Sequence, residues 1–135
     1  MNICVIDAQG GGIGKQVISA LKKSLPEIEI TAVGTNSMAT SAMLKAGADA
    51  AATGENAVIV CSRKADIIVG PIGIVIADSL YGEITPSMAL AIGQSSAKRI
   101  LIPINHCDNT VVGVPDLSIT ALVKEAIKEI GQMVK

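Results

Sequence analysis

Aromatic residues are almost absent from this sequence, which has one tyrosine, no phenylalanine and no tryptophan among 135 residues. Proteins that bind single-stranded nucleic acid usually stack the bases on aromatic side chains. The formal net charge is −1, so the chain also lacks the excess of basic residues that attracts phosphate backbones or anionic membranes. The composition therefore predicts neither a nucleic-acid-binding protein nor a membrane-surface protein.

Charged residues and cysteine pairs are scarce as well. Charged residues make up 17% of the chain and hydrophobic residues 50%, whereas average chains carry roughly 25% charge. A large share of the chain must therefore be buried in a core or in a subunit interface.

Cys4, Cys61 and Cys107 form no CxxC pair, which is typical of reduced thiols in a cytosol. The start of the chain shows no signal-peptide pattern and no apolar run reaches the ~18 residues of a membrane span, so we expect a cytoplasmic protein.

The most informative stretch is a glycine-rich segment near the start of the chain. A short apolar run leads into Gly10, Gly11, Gly12, Ile13, Gly14 and Lys15. A helical pattern follows at once, so the order is strand, glycine loop and helix. Glycine allows the backbone to approach a ligand closely, and a helix N-terminus presents N–H groups and partial positive charge. The segment therefore predicts a phosphate-binding loop.

Strand and helix patterns alternate along the rest of the chain. Strand patterns lie at 3–7, 28–33, 49–53, 66–69 and 100–104. The pattern at 49–53 is a weak one of small residues, whereas 66–69 and 100–104 have the apolar runs of buried strands. Helical patterns lie at 14–25, 38–46, 55–61, 74–81, 86–96 and 119–134, with strand an alternative for the third of them. Candidate start and stop residues are Thr35 or Asn36, Gly47, Gly82, Thr85 with Pro86, and Ser118.

This alternation predicts one domain over 1–135 with a doubly wound, Rossmann-like fold. We expect three α/β/α layers around a mainly parallel sheet of strand order 3-2-1-4-5. Residues 109–114 have the composition of a sixth strand. Because the segment 105–108 is too short for a parallel crossover, that strand should lie antiparallel at the edge of the sheet.

The glycine loop fits several nucleotide-binding templates incompletely. In the dinucleotide pattern GxGxxG the last glycine comes one place early, and in GxxxGxG Ala8 replaces the first glycine. In the P-loop pattern Gln9 replaces the first glycine and Gln16 replaces the magnesium-binding hydroxyl. The deviant P-loop of partitioning-type ATPases fits 11–15, but its extra lysine falls on Gly10 and Asp66 is misplaced for a Walker-B acid. A tight turn that binds no ligand remains an alternative.

Other candidate site residues follow the predicted strands, where ligands bind in open α/β sheets. Thr35 and Asn36 stand where dinucleotide-binding proteins carry an acidic ribose ligand, and Gly70 and Pro71 follow the fourth strand. The glycine loop and these four residues are therefore the candidate cofactor-binding residues. NAD(P) and other nucleotides are the candidate ligands, and the sequence does not identify which, because the acidic residue that signals NAD is missing. Polar residues that could contact a substrate are Thr53, Glu55, Asn56 and Asn105.

No residue can be assigned to catalysis or to a metal. The cluster His106, Cys107 and Asp108 is compact, but adjacent residues rarely point at one centre and the chain has no second histidine. Glu55 is the only carboxylate that we consider as a base, and helix capping explains it equally well. Thr85 occupies the place of the lysine that would complete a short-chain-dehydrogenase pair with Tyr81.

The whole chain resembles a family of small bacterial proteins known only as a domain of unknown function. The resemblance is carried by residues 5–7 with 10–15, 46–49, 52–57, 66–73, 82–86 and 100–105. It implies a cytoplasmic bacterial protein with a Rossmann-like fold. It implies no substrate and no catalytic residue.

The distribution of charge predicts self-association. Residues 67–97 contain only Asp78 and Glu83 as charged residues, although a helix on the surface of an α/β domain normally has a charged outer face. We therefore expect a homodimer or a higher homo-oligomer joined through residues 74–92.

The predicted function is binding of a nucleotide or dinucleotide through residues 10–15. The alternatives are a non-enzymatic sensor or assembly protein with a structural glycine loop and, less favoured, a deviant P-loop ATPase.

Overall fold

The fold is a five-stranded parallel sheet with helices on both faces. The computed structural model describes residues 1–104 and 109–135. The strands are β1 (Asn2–Asp7), β2 (Glu29–Gly34), β3 (Ala50–Thr53), β4 (Ile67–Pro71) and β5 (Lys98–Ile102). The helices are α1 (Gly12–Ser24), α2 (Ser37–Lys45), α3 (Glu55–Lys64), α4 (Pro86–Gln94) and α5 (Ile119–Met133).

The sheet order is β3-β2-β1-β4-β5, and every pair of neighbouring strands is parallel. The predicted order and the predicted Rossmann-like class are therefore confirmed. The chain runs from β1 to β3 on one side and then returns to place β4 beside β1. The order of strands thus reverses between β1 and β4, and this is the point where doubly wound sheets form their ligand crevice.

The central strands are apolar on both faces because both faces are covered. Ile3 and Val5 belong to the core beneath α1, α2 and α5. Cys4 and Ile6 belong to the core beneath α3 and α4. This arrangement explains the continuous apolar runs of the sequence, since strands in a covered parallel sheet have no solvent face.

Three helix starts follow the capping signals of the sequence. The side chains of Asn36, Thr85 and Ser118 accept hydrogen bonds from the N–H groups of Ala39, Met88 and Ala121. Each cap pairs one of the N–H groups that the first turn of a helix leaves without an intrahelical acceptor. Of the two candidate caps for α2, Asn36 is therefore the one used.

The prediction of a helix over 74–81 is wrong. Residues Ile72–Val75 form one 3-10 turn, and the chain then turns repeatedly, with positive φ at Asp78, Leu80, Tyr81 and Gly82. The apolar spacing that resembled a helix reflects burial of Ile74, Leu80 and Ile84 on the second core. Residues 72–85 are therefore an irregular segment whose apolar side chains fix it to the sheet.

Two further expectations need correction. Residues 109–114 contain a turn and no strand, so the described sheet ends at β5. The apolar residues around 58–60 lie in α3, which extends to Lys64, so the strand alternative for this segment is wrong. Within the described ranges, no helix is both long enough and apolar enough to cross a membrane.

Candidate functional site

The glycine loop joins β1 to α1 in a tight, ordered turn. Gln9 and Gly11 have positive φ values of 54° and 73°. The N–H of Gly11 donates to the carbonyl of Ala8 over 3.0 Å, and the N–H of Lys15 donates to the carbonyl of Gly11 over 2.9 Å. The loop is therefore fixed before any ligand arrives.

The four glycines of the loop fall into two pairs. A Cβ on Gly11 would lie 2.8 Å from the carbonyl oxygen of Ala39, and a Cβ on Gly14 would lie 2.5 Å from the sulfur of Met43. Packing of α1 against α2 thus explains these two glycines. A Cβ on Gly10 or Gly12 would meet nothing within 4 Å. Packing therefore gives no reason for glycine at these two exposed positions.

Asp7 already occupies the inner side of the α1 N-terminus. Its carboxylate accepts hydrogen bonds of 2.7 Å from the N–H groups of Ala8 and Gly14. Burial raises the pKa of Asp7, the N–H groups of Gly14, Ala8 and Ile13 partly oppose this rise, and the charge of Glu83 adds to it. Among the described residues, the N–H groups of Gly10 and Gly12 have no acceptor, so they are the donors left for a ligand.

Thr35 and Asn36 lie at the end of β2 and meet a carboxylate that the sequence analysis missed. Glu83 Oε1 accepts hydrogen bonds from Thr35 Oγ1 over 2.6 Å, from Asn36 Nδ2 over 2.7 Å and from the N–H of Gln9 over 3.0 Å. Glu83 thus links the glycine loop to the end of β2. The sequence signals for this role were that Glu83 is one of two charged residues in 67–97 and that it lies in 82–86, one of the stretches that carry the family resemblance.

The surroundings of Glu83 favour its charged form. Burial by itself would raise the pKa of the carboxyl, but hydrogen bonds from Thr35, Gln9 and Asn36 together outweigh burial and lower it. These bonds all use Oε1, and within the described part of the chain Oε2 accepts none. Glu83 therefore keeps one carboxylate oxygen available beside the predicted ribose position.

Residues 72–85 pass close to the ends of β1 and β4, with Ile74 beside Gly70 and Glu83 bonded to the N–H of Gln9. A Cβ on Gly70 would lie 2.4 Å from the carbonyl oxygen of Ile6 and 2.9 Å from the side chain of Ile74. Gly70 and Pro71 are both buried. The structure therefore places these two predicted cofactor residues beneath the segment that carries Glu83, while the glycine loop, Thr35 and Asn36 lie together around it.

The predicted substrate residues lie toward β3. Thr53 Oγ1 is 2.7 Å from Thr40 Oγ1, and Glu55 Oε2 accepts a hydrogen bond of 2.5 Å from Thr85 Oγ1. Asn56 is exposed in the first turn of α3. Asn105 lies outside the described residues, as does the cluster at 106–108. Across the described ranges, no group of three His, Cys, Asp or Glu residues could hold a metal ion.

Comparison with known proteins identifies the family. The chain belongs to the family described as Domain of unknown function (DUF3842), which matches residues 2–135. No curated protein matches the sequence. One similar solved structure is described as a dodecameric FMN-dependent UbiX-like decarboxylase from Escherichia coli O157:H7. The identity is 19% and the TM-score 0.43, over 97% of this chain and 76% of that chain. A similarity at this level transfers neither ligand nor activity to the present chain.

Proposed function

We propose that this protein binds a nucleotide or dinucleotide, with a phosphate group against Gly10, Gly12 and Lys15. The observation that carries the proposal is the open space over Gly10 and Gly12, whose N–H groups find no acceptor among the described residues. Lys15 is exposed in the first turn of α1 and can add a positive charge. Backbone donors, a helix N-terminus and a lysine form a common phosphate site.

The neighbouring residues suit a ribose. Thr35, Asn36 and Glu83 form one hydrogen-bonded group at the end of β2, and Glu83 Oε2 can accept from a ribose hydroxyl. Dinucleotide-binding folds place an acidic side chain at this position on β2 itself. A charged carboxylate repels a second phosphate, so the preferred ligand has unphosphorylated ribose hydroxyls. NAD is therefore favoured over NADP.

Nucleotide hydrolysis is the less favoured alternative. Asp66, the acidic residue next to β4, accepts a hydrogen bond of 2.7 Å from the N–H of Asn2. Asn2 is the first residue of β1, whereas the glycine loop follows the last one. Asp66 therefore lies at the opposite end of the strands from the glycine loop. Gln16 stands at the position of the magnesium-binding hydroxyl. These placements favour binding without hydrolysis.

Thermal shift with NAD, NADP, ATP, coenzyme A and flavins tests the proposal. A ligand at about 100 times its dissociation constant should stabilise the protein by about 2.7 kcal/mol. Gly12→Val and Lys15→Ala should each reduce this stabilisation, because valine fills the open space and alanine removes the charge. Gly131→Val, at an equally open glycine in α5, is the matched control and should respond like the wild type. Wild-type responses from both loop variants would refute the phosphate site.

A non-enzymatic sensor or assembly protein is the second candidate. Asp7 and Glu83 pair the N–H groups of Gly14 and Gln9, as a purely structural loop would require. The outer face of α4 also lacks charge and exposes Leu90 by 58%. We propose that a second copy of the chain covers this face. Absence of any thermal shift together with a stable oligomer would support this second function.

A further inference from the structure

A groove of about 1100 Å³ runs along the outer side of α1. The helix α1 packs against α2 on one side and α5 on the other. Ser19 and Ala20 on the outer side of α1 are short, so the two flanking helices rise above them as walls. The groove shares only Lys15 with the proposed phosphate site.

The two ends of the groove can be placed from the contacts between α1 and α2. Gly11 meets Ala39 near the start of both helices, and Gly47 meets Lys22 near their ends, so the helices run in the same direction. Lys15 lies in the first turn of α1 and Lys23 in the last, about 12 Å apart at 1.5 Å per residue. Lys45, in the last turn of α2, lies at the same end as Lys23.

The charge around the groove has one sign. Its lining includes Lys15, Lys23, Lys45 and Lys124, and no aspartate or glutamate. None of these lysines forms an ion pair within the described ranges, whereas the neighbouring Lys22 is paired with Asp49 over 2.7 Å. Because the groove is lined by four lysines and by no carboxylate, an anion in it would meet attractive charges and no repulsive one from the lining.

The floor between the lysines is apolar. Ala20, Ala42 and Val123 line it, and the side chain of Met38 is 70% exposed at its edge. An exposed methionine is flexible and can adapt to an aliphatic surface. The groove therefore has cationic residues at its ends. Between them lies an apolar floor about as long as an aliphatic chain of medium length.

We propose that this groove binds an amphipathic anion, with an aliphatic chain on the floor and a carboxylate or phosphate head on Lys23 and Lys45. Apolar burial of the chain supplies affinity, and the two lysines select the charged head. Those two lysines are chosen because they lie in the last turns of two adjacent helices, at the same end of the groove. The proposal does not depend on the nucleotide site, because the head group lies on Lys23 and Lys45, at the end of the groove away from Lys15.

Titration of the protein with decyl phosphate and with decanoate tests the proposal. The methyl NMR signals of Met38 and Ala42 report the binding. Both probes should bind saturably, and each methylene removed should weaken binding by about fourfold, the factor that corresponds to about 0.8 kcal/mol. Lys23→Gln combined with Lys45→Gln should weaken binding by roughly tenfold, at about threefold for each exposed ion pair. Lys64→Gln, an exposed lysine at the end of α3, is the control and should bind like the wild type.

Three results would overturn the proposal. Equal binding of decyl maltoside would show that the lysines do not select an anion, and lack of saturable binding of either charged probe would remove the site. Ser41→Phe changes an exposed residue that lines the groove, so the fold should survive while the added ring obstructs the chain. A circular dichroism spectrum verifies folding. If the folded variant binds decyl phosphate as tightly as the wild type, the ligand lies elsewhere.

Discussion

Replacement of Glu83 by alanine should loosen the connection between the glycine loop and β2. The substitution leaves Thr35 Oγ1, Asn36 Nδ2 and the N–H of Gln9 without their carboxylate acceptor. A buried bond to a charged group contributes about 1.5–3 kcal/mol. Glu83 is only half-buried and water can replace it, so we assign roughly 0.5–1 kcal/mol to each bond. The expected loss is about 2 kcal/mol, or about 6 °C in melting temperature for a chain of this size.

Thermal or urea unfolding at neutral pH measures this loss. Glu83→Gln should lose roughly half as much, because the amide oxygen can still accept but carries no charge. Glu27→Ala is the matched control, since this exposed loop glutamate makes no hydrogen bond to the described residues. A Glu83→Ala variant as stable as the Glu27→Ala variant would refute the role of Glu83 in holding the loop.

The effect of Glu83 should also depend on pH with a definite sign. The pKa of Glu83 is lowered in the folded protein, so the folded state favours the charged form. Its contribution is therefore fully present above the ordinary glutamate pKa of about 4.3 and is lost as the pH falls through the lower folded value. The difference in unfolding free energy between wild type and Glu83→Gln should shrink on acidification. A difference that grows below pH 4 would contradict this assignment.

Three further predictions concern the loop, the assembly and the thiols. Gly11→Ala should lower the free energy of unfolding in urea by about 2–4 kcal/mol, because the position has a positive φ and a Cβ there would clash with backbone atoms of Ala39. Gly10→Ala should change this free energy little. Equal stabilities of the two variants would contradict the explanation of Gly11 by packing. Light scattering at micromolar concentration should give a mass above the 13.7 kDa of the monomer, and Leu90→Lys should reduce that mass; an oligomer that this variant leaves unchanged would place the interface elsewhere. Iodoacetamide at pH 8 should label Cys61 and spare Cys4. Burial, with a smaller contribution from the charge of Cys61, raises the pKa of Cys4 to about 12. Peptide mass spectrometry measures the labelling of the two cysteines, and labelling of Cys4 in the native protein would contradict its burial.

The sequence alone predicted the five strands, their order in the sheet and the five helices. Continuous apolar runs identify strands covered on both faces, and capping residues such as Asn36 and Ser118 mark helix starts, because both are local consequences of side-chain chemistry. Strand order then followed from the few topologies that alternating strands and helices allow. The glycine loop was recognised for the same local reason.

Only the tertiary structure decided what surrounds the loop. The path of residues 72–85 depends on where Ile74 and Ile84 find a core, so periodicity alone misread it as a helix. Glu83 reaches Thr35 across 48 positions of sequence, and no local pattern reports such a contact. The division of the glycines into packed Gly11 and open Gly12 also depends on helix α2, which follows later in the chain. Long-range packing therefore determined which predicted site residues lie together.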